Sequence, residues 1–139
     1  MPTAMGAGAR DHTELDVWKL ADEVRRRVRL LVERGQLDGI PDLRSQIERA
    51  SESPCPNIAE GFSRFLSGDH ARFLRIAKGS LSELLEHFDR ARANGLVTPV
   101  EADDIERLIR RARGAATGLI VYLESRRGRA ASRRLSRKD

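Results

Sequence analysis

Apolar residues recur every three or four positions along most of this chain, and no useful length alternates with a period of two. A spacing of three and four places side chains on one face of a helix, whereas a period of two is typical of strands. The fourth predicted helix shows the pattern best, with eight apolar positions: Ile105, Leu108, Ile109, Ala112, Ala116, Leu119, Ile120 and Leu123. The spacing therefore predicts an all-α protein.

Four helices are predicted, at about 14–34, 41–65, 67–94 and 98–125. Gly35 and Gly95 are suited to helix ends, and Ser67 is suited to the N-cap of the third helix. Thr98 and Glu101 have the spacing of a capping box, which satisfies two free N–H groups at the start of the fourth helix. Four helices with short connections predict an antiparallel up-down-up-down four-helix bundle.

The second predicted helix contains an unusual stretch, SPCPNIAEGFSR at 53–64, with prolines at Pro54 and Pro56. An internal proline removes a backbone hydrogen bond and costs about 3 kcal/mol, commonly as a kink. The apolar face nevertheless keeps its phase from Leu43 to Phe65. We therefore expect one bent, continuous helix.

Positive charge is concentrated at the C-terminus. Residues 126–139 hold seven Arg or Lys and one Asp, so the remaining 125 residues carry a net charge of −1 in a chain of net charge +5. The sequence predicts a flexible N-terminus (1–13), a bundle (14–125) and a disordered basic tail (126–139) that either binds nucleic acid or only aids solubility. The predicted phosphate contacts are Arg107, Arg110, Arg111, Arg113, Arg126, Arg127, Arg129, Arg133, Arg134, Arg137 and Lys138.

Polar residues follow the apolar faces of the second and third predicted helices. They predict a polar seam where these helices meet, in which arginines hold the glutamates and glycines allow close approach. A solvated face is the alternative. The predicted seam residues are Arg49, Ser53, Asn57, Glu60, Arg64, Arg72, Gly79 and Glu83.

Catalytic and metal-binding patterns are weak. Cys55 has no histidine at a characteristic spacing, and Glu83 with His87 is a single one-turn pair rather than a metal motif. Glu60 and Glu83 form the one candidate carboxylate pair for acid–base chemistry. We therefore expect no enzyme activity, no metal and no cofactor. The single cysteine and the lack of an apolar leader or membrane-length segment favour a cytoplasmic protein.

Four motifs resemble the four-helix bundle family of the intervening-sequence protein of large ribosomal RNA. They are ELDVWKLADEV (14–24), LRSQIERASES (43–53), NIAEGFSR (57–64) and FLRIAKGSLSELLEH (73–87). The resemblance implies a bundle that assembles into a ring of five subunits. It also implies kinship with the accessory variability determinant of diversity-generating retroelements, which binds nucleic acid and a reverse transcriptase.

Two functions are therefore expected. The first is a non-enzymatic homo-oligomer, a homopentamer by resemblance, that binds structured RNA with low sequence specificity. Only six residues are aromatic, so base stacking on exposed rings is not expected. The second is a protein–protein adaptor, for instance for a reverse transcriptase, in which the tail has no role.

Overall fold

A computed structural model describes residues 8–125 and contains no β-strand within that range. The all-α prediction is therefore confirmed. A short 3₁₀ turn, His12–Glu14, precedes five α-helices. These are α1 (Asp16–Glu33), α2 (Pro41–Glu52), α3 (Pro54–Phe62), α4 (Ser67–Ala93) and α5 (Pro99–Glu124).

Helices α2 and α3 form one bent rod. Ser53, the single residue between them, has helical backbone angles, φ −74° and ψ −38°. Pro54 and Pro56 lack the N–H groups that an unbroken helix would use at these positions, which accounts for the interruption. The five helices therefore make four rods, as the phase of the apolar face indicated.

The second rod ends earlier than the sequence predicted. The Ser63 N–H closes onto carbonyls of the last turn of α3, and the chain then leaves the helix. Phe65, which was expected in the core, is 51% exposed. Ser67 was expected as an N-cap but is the first residue of α4, and Leu66 occupies the cap position without a side-chain hydrogen bond.

The other helix ends follow local chemistry. Gly35 and Gly95 have φ values of +74° and +70°, which glycine adopts without strain. Thr98 and Glu101 form both hydrogen bonds of the predicted capping box. Because these signals depend on neighbouring residues alone, the sequence located them correctly.

The core is apolar and consists of two clusters that follow one another along the bundle. All eight apolar positions predicted for α5 are buried. Phe88 of α4 and Ile109 of α5 are completely inaccessible to solvent. Each such side chain stabilises the fold by about 1.5–3 kcal/mol through burial.

Helices α4 and α5 are antiparallel. Arg75, near the start of α4, pairs with Glu124 at the end of α5. Arg92, at the end of α4, pairs with Asp103 near the start of α5. The chain therefore leaves the described bundle beside the first turns of α4.

The N-terminal residues that the structure describes contact the bundle, although residues 1–13 were expected to be flexible. Ala9 packs against the apolar core, and the His12 ring lies 5.7 Å from the Trp18 ring. Asp11 accepts a local hydrogen bond of 2.8 Å from the Thr13 N–H. Residues 1–7 and the predicted tail, 126–139, lie outside the described range. Within 8–125, no helix combines the length and apolarity needed to cross a membrane.

Candidate nucleic-acid interface

The predicted phosphate-binding arginines of the bundle lie on α5. Arg107, Arg110 and Arg111 are exposed, and Arg113 is half-buried. At about 100° per residue, Arg107, Arg110 and Arg111 lie within an arc of about 100° on the helix, whereas Arg113 lies about 160° from Arg111. The remaining predicted contacts lie outside the described residues: Arg126, Arg127, Arg129, Arg133, Arg134, Arg137 and Lys138.

These arginines are weakly paired. Arg107 Nη1 lies 3.4 Å from Asp104 Oδ1, and Arg110 Nη1 lies 3.8 Å from Glu106 Oε1. Within residues 8–125, neither Arg111 nor Arg113 forms a salt bridge. Arg107 and Asp104 are both exposed, and such pairs contribute only about 0–1 kcal/mol, so a phosphate can replace Asp104 at little cost. Glu106, the partner of Arg110, is buried.

A fifth arginine, Arg27 of α1, completes a groove that the sequence did not indicate. The groove has a volume of about 320 Å³ and is lined by Arg27, Asp104, Arg107, Leu108 and Arg111. Three arginines and one aspartate thus line this opening. Arg27 itself bonds to Glu23 at 3.0 Å. Arg27 lines the groove because α1 packs on α5, and no local sequence motif predicts this contact.

The polar seam connects the second rod to α4 through side chains from both. Arg49 Nη2 lies 2.8 Å from Glu83 Oε2, and His87 Nε2 lies 3.1 Å from the same oxygen. The hydrogen bond with His87, followed by the bond from Arg49, holds the pKa of Glu83 below its usual value. The Arg49 side chain is 69% exposed and that of Glu83 is 41% exposed, so the pair lies at the edge of the contact.

Ser53 and Asn57 lie deeper in the seam, beside the prolines. The Asn57 side-chain amide donates to the Ser53 carbonyl at 3.0 Å and to the Ser53 hydroxyl at 3.2 Å. The Ser80 hydroxyl of α4 donates to the same Ser53 hydroxyl at 2.9 Å. These bonds satisfy polar groups at the bend and join the rod to α4.

Glu60, Arg64 and Arg72 were also predicted to lie in the seam. Glu60 pairs with Arg64, which lies on the same rod, at 2.9 Å. The guanidinium groups of Arg64 and Arg72 lie 4.8 Å and 4.6 Å from the centre of the Phe73 ring. Glu60 is thus held by Arg64, one of the arginines expected to hold the two glutamates, and this pair lies within the second rod rather than between the rod and α4.

The two seam glycines differ. A Cβ on Gly61 would lie 2.9 Å from Phe73 Cβ and 3.1 Å from the His70 carbonyl oxygen, so glycine is required for this close approach. A Cβ on Gly79 would meet no atom within 4 Å, which contradicts the expected close approach there. His70 is buried beside Gly61, and burial lowers its pKa to about 4.

The candidate catalytic groups are separated or protected. Arg49 contacts Glu83, and Gly61 lies beside Phe73, which is earlier on α4. Glu60 is next to Gly61 in the chain. It therefore lies roughly 15 Å from Glu83 along the bundle, from the rise per residue of α4. Burial raises the pKa of the Cys55 thiol to about 11. No group of three or more His, Cys, Asp or Glu in residues 8–125 is arranged to hold a metal ion.

The chain matches one family model. The model is described as 23S rRNA-intervening sequence protein, and it matches residues 13–117, most of the chain and nearly all of the bundle. A comparison with curated proteins finds no significant match. The family that the four sequence motifs indicated is thus confirmed: the chain belongs to the 23S rRNA-intervening sequence protein family.

Proposed function

We propose that the protein is a non-enzymatic, oligomeric bundle that binds structured RNA with low sequence specificity. The observation that carries this proposal is the groove in which Arg27, Arg107 and Arg111 converge on the side of α5. Membership of a family described by a ribosomal RNA intervening sequence supports RNA as the ligand. Seven further cations, in residues 126–139, follow α5 in the sequence.

The spacing of these groups fits a phosphate backbone. From Arg107 to Ser125, α5 covers about 27 Å at 1.5 Å per residue. The arginines of α5 lie within 107–113, about 9 Å of this length, so they and the cations of the tail would contact phosphates at two separate positions along an RNA helix. Contacts of this kind fix position and supply affinity, but they carry little sequence information.

An open groove between α4 and α5 supports the oligomeric part of the proposal. It has a volume of about 420 Å³, and its lining includes Gly79, Thr117, Ile120 and Val121. Val121, which is 64% exposed, lies in this groove with Ile120, and the proposed subunit contact would cover both side chains. Replacing Val121 with Glu should dissociate the oligomer, and mass measurement in solution checks this. A wild-type protein that is monomeric at all concentrations would contradict assembly.

The absence of enzymatic activity is part of the proposal. The buried Cys55 thiol has a pKa of about 11 and is protonated at neutral pH, so it is a poor nucleophile. Glu83 is bonded to Arg49 and His87, and Glu60 to Arg64. Carboxylates that are paired in this way serve packing rather than proton transfer.

Paired substitutions test the RNA-binding surface. Arg107→Gln with Arg111→Gln should weaken binding of a structured RNA about tenfold or more at low salt, since two phosphate contacts are lost. Arg26→Gln with Arg29→Gln removes the same charge from exposed positions of α1 and is the matched control. Equal losses for both variants would show that net charge alone matters. No binding by the wild-type protein at low salt would reject the proposal.

The adaptor function predicts a different result. If the protein acts by holding a reverse transcriptase or another protein, capture of that partner should survive nuclease treatment. It should also survive replacement of the seven Arg and Lys residues of the tail by Gln. RNA-dependent capture that is lost with these charges supports RNA binding instead.

A further inference from the structure

A second cavity lies beside the arginine-lined groove between α1 and α5. Its volume is about 260 Å³, and its apolar lining consists of Leu30, Leu31 and Ile105. Leu31 and Ile105 are buried, whereas Leu30 is 45% exposed. Arg27 and Asp104 line both this apolar recess and the groove, so the two cavities adjoin.

The two cavities together carry more positive than negative charge. Four arginines and two acidic residues line them, a net charge of +2: Arg27, Arg34, Arg107, Arg111, Glu101 and Asp104. Glu101 accepts hydrogen bonds from the Thr98 N–H at 2.8 Å and from the Gln36 side-chain amide at 3.1 Å. Asp104 pairs with Arg107 at 3.4 Å. Both carboxylates therefore already have partners within the protein.

The arginines of these cavities have fewer partners. Within residues 8–125, neither Arg34 nor Arg111 forms a salt bridge. Glu23, which bonds to Arg27 at 3.0 Å, is shared with Arg26 at the same distance. An anionic group is therefore attracted to this surface by the described residues alone.

The recess and the groove are about one helical turn apart. Leu30 follows Arg27 by three residues on α1, and Leu108, which lines the groove, follows Ile105 by three residues on α5. Three residues of a helix rise about 4.5 Å. A nucleotide joins a flat base to an anionic phosphate through one sugar. Its two ends therefore suit adjacent cavities of which one is apolar and the other is lined by arginines.

We propose that the apolar recess holds the base of an unpaired RNA nucleotide, and that Arg27, Arg107 and Arg111 bind its phosphate. This inference rests on the proposed function and narrows its ligand to RNA in which an unpaired nucleotide interrupts a helix. The face of a paired base is covered by its neighbours, so only an unpaired base can enter the recess. Apolar side chains can enclose such a base without an aromatic ring, and they do not distinguish one base from another.

Three RNAs of the same length separate the base from the phosphates. The first is a duplex with one bulged nucleotide, the second has an abasic nucleotide at the bulge, and the third is fully paired. Contacts of the tail with phosphates are equal for all three in the full-length protein. The wild type should bind the bulged RNA about fivefold more tightly than the other two, because the base covers apolar surface of the recess.

Leu30→Ala tests the recess itself. It should weaken binding of the bulged RNA about fivefold and leave binding of the abasic and paired RNAs unchanged. Leu66→Ala makes the same change just before α4, at a residue that is 43% exposed, and is the matched control. It should bind all three RNAs as the wild type does. Because Leu30 and Leu66 are both partly exposed, both variants should fold, and unfolding curves check this.

Several results would overturn the inference. If the wild type binds the bulged and abasic RNAs equally, the recess holds no base, while the proposed function stands. The same conclusion follows if Leu30→Ala weakens all three RNAs alike. If a free nucleoside monophosphate binds as tightly as the bulged RNA, the site takes free nucleotides instead. If the wild type binds none of the three RNAs at low salt, the proposed function fails as well.

Discussion

The arginines of the second rod and those of α5 have different surroundings. Arg49 bonds to Glu83 across the seam, and Arg64 bonds to Glu60 and covers an aromatic ring. Arg111 and Arg113 of α5 form no ion pair within residues 8–125. The residue type is the same, but Arg49 and Arg64 bond to glutamates of the bundle, whereas Arg107 and Arg110 are paired at 3.4 Å and 3.8 Å, and Arg111 and Arg113 are unpaired in this range. Counts of arginine alone therefore do not locate a binding surface.

This comparison predicts that substitutions in the seam alter folding, whereas substitutions on α5 alter binding. Stability can be measured by chemical unfolding, and binding by titration with RNA. A seam substitution that leaves stability intact but removes RNA binding would reverse the assignment of the two regions.

The largest expected effect is the pH dependence of folding stability that results from the buried His70. Burial lowers its pKa from 6.5 to about 4, so between these values the unfolded chain binds a proton that the folded chain does not. Stability should therefore fall as the pH falls through this window, by up to about 3 kcal/mol. His70→Gln removes this titration, and unfolding curves at pH 7 and pH 4 measure the difference. An unchanged pH dependence in the variant would contradict the prediction.

The two seam glycines should respond with opposite signs. Gly61→Ala places a Cβ 2.9 Å from Phe73 Cβ, and such overpacking should cost about 1–3 kcal/mol of unfolding free energy. Gly79→Ala has open space in the middle of α4 and should stabilise the protein by about 0.5–1 kcal/mol in the monomer. The midpoint of urea unfolding gives both values. A gain in stability for Gly61→Ala would show that the contact is looser than described.

Loss of the amide at the bend should have an intermediate effect. Asn57→Ala removes the side-chain bonds to the Ser53 carbonyl and hydroxyl, which should cost about 1 kcal/mol. Ser45→Ala, at an exposed position of α2, is a control expected to be neutral. Equal stabilities for the two variants would mean that water replaces the amide without cost.

The smallest expected effect compares arginines of the two regions. Arg49→Gln should cost about 0.2–1 kcal/mol, because Arg49 is largely exposed and its partner Glu83 is half-exposed. Arg111→Gln should leave stability unchanged and weaken RNA binding. Measuring both properties in both variants completes the comparison, and a loss of RNA binding in Arg49→Gln alone would contradict it.

The periodic parts of the fold could be predicted from the sequence, since burial there follows from spacing. All eight apolar positions of α5 are buried, and the rod remains helical through Ser53. Phe65 was wrongly predicted to lie in the core. The end of α3 is set by backbone hydrogen bonds of Ser63, which the spacing of apolar residues does not reveal.

The candidate site was less predictable. The outer arginines of α5 follow from helix geometry, and their exposure agrees with that reasoning. Arg27 comes from another helix, so only the packing of α1 on α5 brings it to the groove. The roles of Gly61 and Gly79 depend in the same way on the neighbouring atoms, which a glycine in a sequence does not reveal.

The salt dependence of RNA binding tests the central claim most directly. With about six phosphates neutralised, the logarithm of the binding constant should fall with the logarithm of salt concentration with a slope near −5. A full-length variant with Gln at Arg107, Arg111 and the seven cations of the tail should show a much shallower slope. A wild-type slope near zero, or a variant slope equal to that of the wild type, would contradict the account.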